Sequence, residues 1–342
     1  MKEMKETIIV TGGAGYIGSH TVVELINSGY NVLIMDDLSN SDKSVLDGLK
    51  QITGLTVPFY KVDICDKKAL FKIIKSNGTV SGIIHFAAFK AFGESVQNPL
   101  KYNHNNLVSL INVLDAMKTF QIEKLVFSSS CTVYGQPDLL PVTEETPIQK
   151  AESPYGNTKQ ICEEIILDFL KVNFLHKAIL LRYFNPIGAH PSAKIGELPI
   201  GVPNNLIPFV TQTAAGIRKS LQIFGSDYNT PDGTAIRDYI NVLDLANAHV
   251  KALEYMNQMK TASDVFNIGT GNGNSVLEIV KTFVETTGIS FPYQMVDRRP
   301  GDIEKIWADT SKAENKLGWK AFVSLADSLQ SAWQWQKRTT KI

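Results

Sequence analysis

Short apolar runs alternate with longer amphipathic stretches through the first half of the chain. The apolar runs fall at residues 8–10, 31–35, 57–62, 82–87, 124–129 and 177–183, and each reads as a strand. Between them, apolar positions recur at helical spacing over 16–28, 67–76, 105–120 and 154–172. In the last of these, Ile161, Ile165 and Phe169 repeat every fourth residue. They follow Ser153 and Pro154, which suit an N-cap and a first helical position. Strands alternating with helices predict βαβ units and a parallel sheet. The strands are continuously apolar, as they must be when helices cover both faces. The expected class is α/β, a doubly wound parallel sheet with a smaller mixed α/β part after it.

The rhythm breaks after Tyr183. Residues 185–208 carry Pro186, Pro191, Pro199, Pro203 and Pro208. So long an irregular segment in a compact protein predicts a binding loop. The boundary is placed near 185, giving parts 1–185 and 186–342. The two are expected to interlock, with some of 236–270 returning to the first. No internal repeat is evident.

Composition narrows the function. Lysine plus arginine total 34 in 342 residues and aspartate plus glutamate total 34, so net charge is zero. With no basic block, a nucleic-acid partner is not expected. No apolar run approaches the roughly 18 residues of a membrane span. The start mixes charges and offers only Ile8-Ile9-Val10 as an apolar core, too short for a signal peptide. Cys65, Cys131 and Cys162 form no Cys-x-x-Cys pair, which predicts a reducing, cytoplasmic compartment. The six histidines include no His-x-x-x-His pair, so no metal is expected.

The first apolar run ends in Thr11-Gly12-Gly13-Ala14-Gly15-Tyr16-Ile17-Gly18. Gly12, Gly15 and Gly18 permit a tight turn and remove the Cβ atoms that would obstruct a diphosphate. The helix that follows offers free N–H groups and a partial positive charge to that anion. A glycine turn between the first strand and its helix is the setting of a dinucleotide site in a Rossmann-type fold. Asp36 ends the second strand, where a carboxylate meets the adenosine ribose and repels a 2′-phosphate, favouring NAD. Asp37 is adjacent and leaves the choice between the two open, with Asp36 preferred. The later run Gly269-Thr270-Gly271-Asn272-Gly273 reads as a structural turn.

Tyr155 and Lys159 are four apart and share one helix face. Ser128-Ser129-Ser130 ends a strand whose carboxyl end faces the same crevice. Serine, tyrosine and lysine beside a dinucleotide make a hydride-transfer site. Oxidising an alcohol carbon also requires removal of the hydroxyl proton. A free tyrosine, with a pKa of about 10, is a poor base at neutral pH. Bringing it to about 7 needs roughly 4 kcal/mol of differential stabilisation. Lys159 and a nicotinamide cation together supply that order, and neither alone suffices. Ser130 would orient the reacting hydroxyl.

Together these residues resemble the extended short-chain dehydrogenase/reductase superfamily, and within it the UDP-glucose 4-epimerase family. The matching stretches run from 11–20 through His85-Phe86-Ala87-Ala88, 93–96, 128–135, 153–159, 181–191, 203–206 and Arg237-Asp238-Tyr239 to Trp307-Ala308-Asp309. Arg182-Tyr183-Phe184-Asn185-Pro186 followed by Pro203-Asn204-Asn205-Leu206 is the more specific part. The resemblance implies a tightly held, recycled NAD. Tyr155 takes the 4′-hydroxyl proton, the C4′ hydride leaves and returns, and the 4-keto sugar turns over between the two steps. It implies cofactor contacts from Tyr16, Ile17, Asp36, Asp37, Asn40, Asp63, Ile64, Phe86, Ala87, Lys90, Asn105, Ser130, Tyr155, Lys159 and Phe184. It implies nucleotide-sugar contacts from Lys90, Ser130, Tyr155, Asn185, Asn205, Leu206, Phe224, Arg237, Tyr239, Arg299, Asp302 and Ile306. Arg237 and Arg299 suit a UDP diphosphate, because a guanidinium fork matches phosphate oxygens. Phe224 suits stacking on uracil. A homodimer through 105–120 and 154–172 is implied as well.

Ile306 occupies the position where hexose-restricted members often carry tyrosine and a small residue admits N-acetyl sugars. A UDP-hexose is the expected main substrate. N-acetylated UDP-sugars, a UDP-uronic acid and a UDP-pentose are the alternatives. A 4,6-dehydratase needs a further acid and base beside the ketone. Such relatives place Asp-Glu where this chain has Cys131 and Thr132, which disfavours elimination.

Overall fold

The computed structural model describes residues 6–299 and 301–340. The first half supplies strands β1 (Thr7–Thr11), β2 (Asn31–Asp36), β3 (Phe59–Lys61), β4 (Gly82–His85), β5 (Lys124–Ser128) and β6 (Lys177–Tyr183). Its helices are α1 (Tyr16–Asn27), α2 (Ser44–Thr53), α3 (Lys67–Ser76), α4 (Phe92–Gln97), α5 (Pro99–Phe120) and α6 (Pro154–Val172). The second half supplies β7 (Asn185–Ile187), β8 (Leu221–Phe224), β9 (Ile236–Asn241), β10 (Ser263–Ile268), β11 (Gly273–Ser275), β12 (Tyr293–Val296) and β13 (Lys305–Ile306). Its helices are α7 (Leu206–Ala214), α8 (Val242–Met256), α9 (Val276–Thr287) and α10 (Leu325–Thr340).

Seven strands form one sheet in the order β10-β6-β5-β4-β1-β2-β3, and every pairing in it is parallel. Successive residues of each strand point to opposite faces. Ile8, Val10 and Ile34 therefore join one core cluster with α1, α2 and α8 residues. Ile9, Leu33 and Met35 join another with α3, α5 and α6 residues. The chain leaves β1 toward β2 and β3 on one side, and later fills β4, β5 and β6 on the other. That reversal opens a crevice at the carboxyl ends of β1 and β4, the usual ligand position in such sheets. β10 closes the far edge from the second half, and α8 packs on α1. The remaining second-half strands form a four-stranded sheet around β9 and a β8–β12 pair, with α7, α9 and α10 burying a third cluster.

Ser153 caps α6 by accepting from Gly156 N at 3.1 Å, with Pro154 in the first turn. Helix α5 starts at Pro99 rather than 105, because Pro99 is already suited to a first turn. Lys101, Asn103 and His104 obscure its apolar stripe there. Helix α2 was not anticipated, although Val45 and Leu49 bury one face and Gly54 ends it at φ +74°.

Candidate active site

The turn after β1 places Gly12 at φ +71°, and Gly12 N donates to Met35 O at 2.8 Å. A Cβ on Gly12 would lie 2.9 Å from Ala87 N. A Cβ on Gly18 would lie 2.2 Å from Gly12 O. Both contacts are with backbone and admit no side chain. Helix α1 begins directly after Gly15, and no side chain caps it. Its first N–H groups therefore remain available to an anion, which the helix dipole favours. These residues wall a cavity of about 380 Å³. The turn thus fits a bound diphosphate.

All the residues named for the cofactor line this cavity except Ser130 and Phe184. Asp36 lines it at the end of β2. Its carboxylate accepts from Leu38 N at 2.9 Å and Ser41 Oγ at 2.8 Å through one oxygen, and from Ala14 N at 3.0 Å through the other. Burial raises its pKa, and the three donors offset part of that rise. Asp37 is used locally, accepting from Ser39 N and Ser39 Oγ. Tyr16 donates to Gly188 O at 2.6 Å across the boundary of the two halves.

The carboxyl end of β5 and the first turns of α6 bring Ser130, Tyr155 and Lys159 together. Ser130 faces the Tyr155 phenol. Lys159 Nζ donates to Ser128 O at 2.6 Å, lies 4.7 Å from the Phe127 ring centre and 6.0 Å from that of Tyr155. Burial lowers the Lys159 pKa to about 8. Burial also holds the Tyr155 phenol well above 10, with Tyr183 adding to the rise and the Ser130 hydroxyl opposing it. The Lys159 ammonium meets a carbonyl and an aromatic face.

The residues named for the nucleotide sugar divide into groups. Lys90, Tyr155 and Asn205 line the cavity. Asn205 stands at the N-cap of α7 but does not cap it; its Nδ2 donates to Glu197 Oε1 at 2.6 Å. Leu206 opens that helix and packs on the third core cluster. Arg237 and Asp302 form an ion pair at 2.5 Å, and the Arg299 guanidinium lies 3.8 Å from the Phe224 ring centre. The Phe224 face expected for uracil therefore carries a guanidinium in this structure. Phe184 and Ile306 do not line the cavity and are buried in one small cluster with Tyr134 and Val142. Asn185 of β7 pairs in register with Tyr239 of β9.

Glu197 was missed. It lines the cavity from the proline-rich segment and receives Lys90 Nζ at 3.4 Å as well as Asn205. The only sequence signal was the segment itself. The later glycine run wraps the buried Asp238 carboxylate, which accepts from Thr270 N at 2.8 Å and Gly271 N at 3.1 Å.

A parallel sheet with its glycine turn at the switch point, and tyrosine and lysine on one helix beside it, defines a dinucleotide-dependent enzyme of the short-chain dehydrogenase/reductase type. Residues 9–332 match the family described as GDP-mannose 4,6 dehydratase. UDP-glucose 4-epimerase of Bacillus subtilis (strain 168) is 50% identical over 96% of this chain and 96% of its own. A crystal structure of UDP-glucose 4-epimerase from Bifidobacterium longum with NAD+ and UDP superposes with a TM-score of 0.94. It is 45% identical and covers 98% of this chain and 99% of its own. The Stenotrophomonas maltophila enzyme, with NAD and formylated UDP-arabinopyranose, gives 0.95 at 44% identity over 98% and 99%. The chain belongs to the UDP-glucose 4-epimerase family.

Proposed function

We propose that the chain interconverts UDP-galactose and UDP-glucose by oxidation and re-reduction at C4′ on a resident NAD. The observation that carries this is the single cavity wall shared by the glycine turn, Asp36, Tyr155 and Lys159. When bound, NAD supplies a hydride acceptor for C4′ that becomes the donor for the return step. Gly12, Gly15, Gly18 and the open N-terminus of α1 hold its diphosphate, and Asp36 takes the adenosine ribose. Tyr155 removes the 4′-hydroxyl proton and gives it back. Ser130 orients that hydroxyl by hydrogen bonding. Lys159 adds positive charge beneath the phenol and fixes the end of β5. The uncapped N-terminus of α7 and the guanidinium groups of Arg237 and Arg299 suit the diphosphate of the sugar nucleotide.

A UDP-hexose is the main substrate in this reading. Ile306 is larger than the small residues that admit N-acetyl groups and smaller than tyrosine, so slower N-acetyl turnover accompanies it. Residues 1–185 and 186–342 serve the dinucleotide and the sugar nucleotide respectively. Ile111 on α5 and Leu167 on α6 are exposed apolar side chains on the helices assigned to a homodimer. The three cysteines are free thiols, in keeping with a cytoplasmic enzyme. No helix of the described residues is long and apolar enough to cross a membrane.

The test is turnover of UDP-galactose by purified protein without added NAD. The expected result is formation of UDP-glucose with no net absorbance change at 340 nm, and NAD released on denaturation. Net NADH formation in step with turnover would contradict it. A monomer in sedimentation would remove the dimer assignment.

A further inference from the structure

Three consecutive residues at the end of β5 meet one face of α6, two of them through hydrogen bonds. Lys159 Nζ donates to Ser128 O at 2.6 Å. Ser129 Oγ donates to Glu163 Oε1 at 2.5 Å. Ser130 faces the Tyr155 phenol. Tyr155, Lys159 and Glu163 follow one another at intervals of four, so they lie in line on the helix. Two rungs of this ladder are the groups assigned to chemistry. The third belongs to Ser129 and Glu163, neither of which lines the cavity.

The third rung is built rigidly. Ser129 is fully buried, and the Glu163 side chain is 5% exposed. Arg182 on β6 grips both carboxylate oxygens, through Nε at 3.0 Å and Nη2 at 2.6 Å. The same guanidinium donates to Tyr134 Oη at 3.1 Å, and Tyr134 donates to Asn267 Oδ1 on β10 at 2.6 Å. A buried ion pair contributes little net stability compared with well-packed apolar groups. Its use here is to orient. Ser129 shares a peptide with each neighbour, so turning its backbone moves both the Ser128 carbonyl and the Ser130 hydroxyl.

We propose that Glu163 is a positioning residue for the reaction, which through Ser129 sets the strand end that aims Ser130 at Tyr155 and the Ser128 carbonyl at Lys159. The inference rests on the active-site reading above. The groups facing Tyr155 are Ser130 and Cys131, Tyr102 on α5 and Tyr183 on β6; those facing Lys159 are His85 on β4, Cys162 and Glu163.

The test is Ser129→Ala in the NAD-loaded enzyme, which leaves the Arg182–Glu163 pair intact. The expected kcat falls about tenfold, since small misplacements of reacting groups are costly. KM for UDP-galactose stays within about twofold, and NAD content is unchanged. The acid limb of the kcat–pH profile moves up by about half a unit, as a displaced Ser130 hydroxyl stabilises phenolate less. Glu163→Gln follows in the same direction and also lowers the melting temperature, because Arg182 loses its counter-charge. Three results overturn the proposal: a kcat within twofold of wild type, a loss with an unmoved acid limb, or a loss matched by rising KM. Tyr155→Phe is measured alongside. If it keeps turnover, the active-site reading itself fails. If it is inactive while Ser129→Ala is normal, only the positioning role fails.

Discussion

Substituting Gly18 by alanine tests whether the turn after β1 is fitted to a dinucleotide. The added Cβ would stand 2.2 Å from Gly12 O, 2.9 Å from Gly13 Cα and 3.0 Å from Gly12 C. All three are backbone atoms, so no side-chain rotation relieves the clash. Restoring ordinary contact needs about 1 Å of opening between α1 and the turn. The turn has little freedom to give: Gly12 N is bonded to Met35 O, Gly15 N to Gly12 O, and Gly12 abuts Ala87 N. Overpacking of this kind costs about 1–3 kcal/mol. A cradle displaced by about 1 Å also loses the aligned N–H groups that receive the diphosphate, and a shift of that size can remove about a hundredfold in rate. The assay is NAD released per chain on denaturation, with the melting temperature. Gly18→Ala is expected to purify with less than about a tenth of the wild-type NAD and to melt lower. Gly93→Ala is the control, since it lies in α4 with nothing near its Cβ and alanine favours a helix. A Gly18→Ala protein with full NAD content and unchanged melting would refute the fit.

Tyr155→Phe is expected to retain NAD and lose about 10²–10⁴ in kcat, the scale of a lost general base, as read by steady-state kinetics. Ile306→Ala deletes buried side-chain atoms at a position 2% exposed. It should destabilise by about 2–5 kcal/mol in denaturant titration and raise the ratio of N-acetyl to hexose turnover. An unchanged ratio would free Ile306 of any role in specificity. Burial pushes the thiols of Cys65 and Cys131 up to about 12 and that of Cys162 to about 11. Thiolate is therefore scarce at pH 8 and rises only as the pH climbs towards those values. Iodoacetamide at pH 8 should leave turnover intact, although Cys131 adjoins Ser130; rapid inactivation would contradict this.

Whatever rested on local chemistry was legible in the sequence. The apolar runs became β1 to β6, because a strand covered on both faces is apolar at most of its positions. The glycine turn was readable because its spacing answers a steric demand made within seven residues. Tyr155 and Lys159 share a face through helix geometry alone. What depended on distant partners was not legible. The Arg237–Asp302 pair joins residues 65 apart in sequence, and Arg299 on Phe224 joins the loop after β12 to the end of β8. β10 pairs with β6 although a long stretch of the second half separates them. Glu163 carried a signal, being one turn beyond Lys159. Its meaning appeared only once Arg182 and Ser129 stood on either side of it. How far burial lifts the Tyr155 phenol was not legible, because sequence shows which charges are near but not how much water has been removed.

In the proposed reaction a hydride leaves C4′ and returns to the same carbon within one active site. UDP-galactose carrying deuterium at C4′, turned over by the purified enzyme in ordinary water, tests this most directly by mass spectrometry of the UDP-glucose formed. The prediction is complete retention of deuterium at C4′. Washout into solvent, with hydrogen at C4′ of the product, would contradict it.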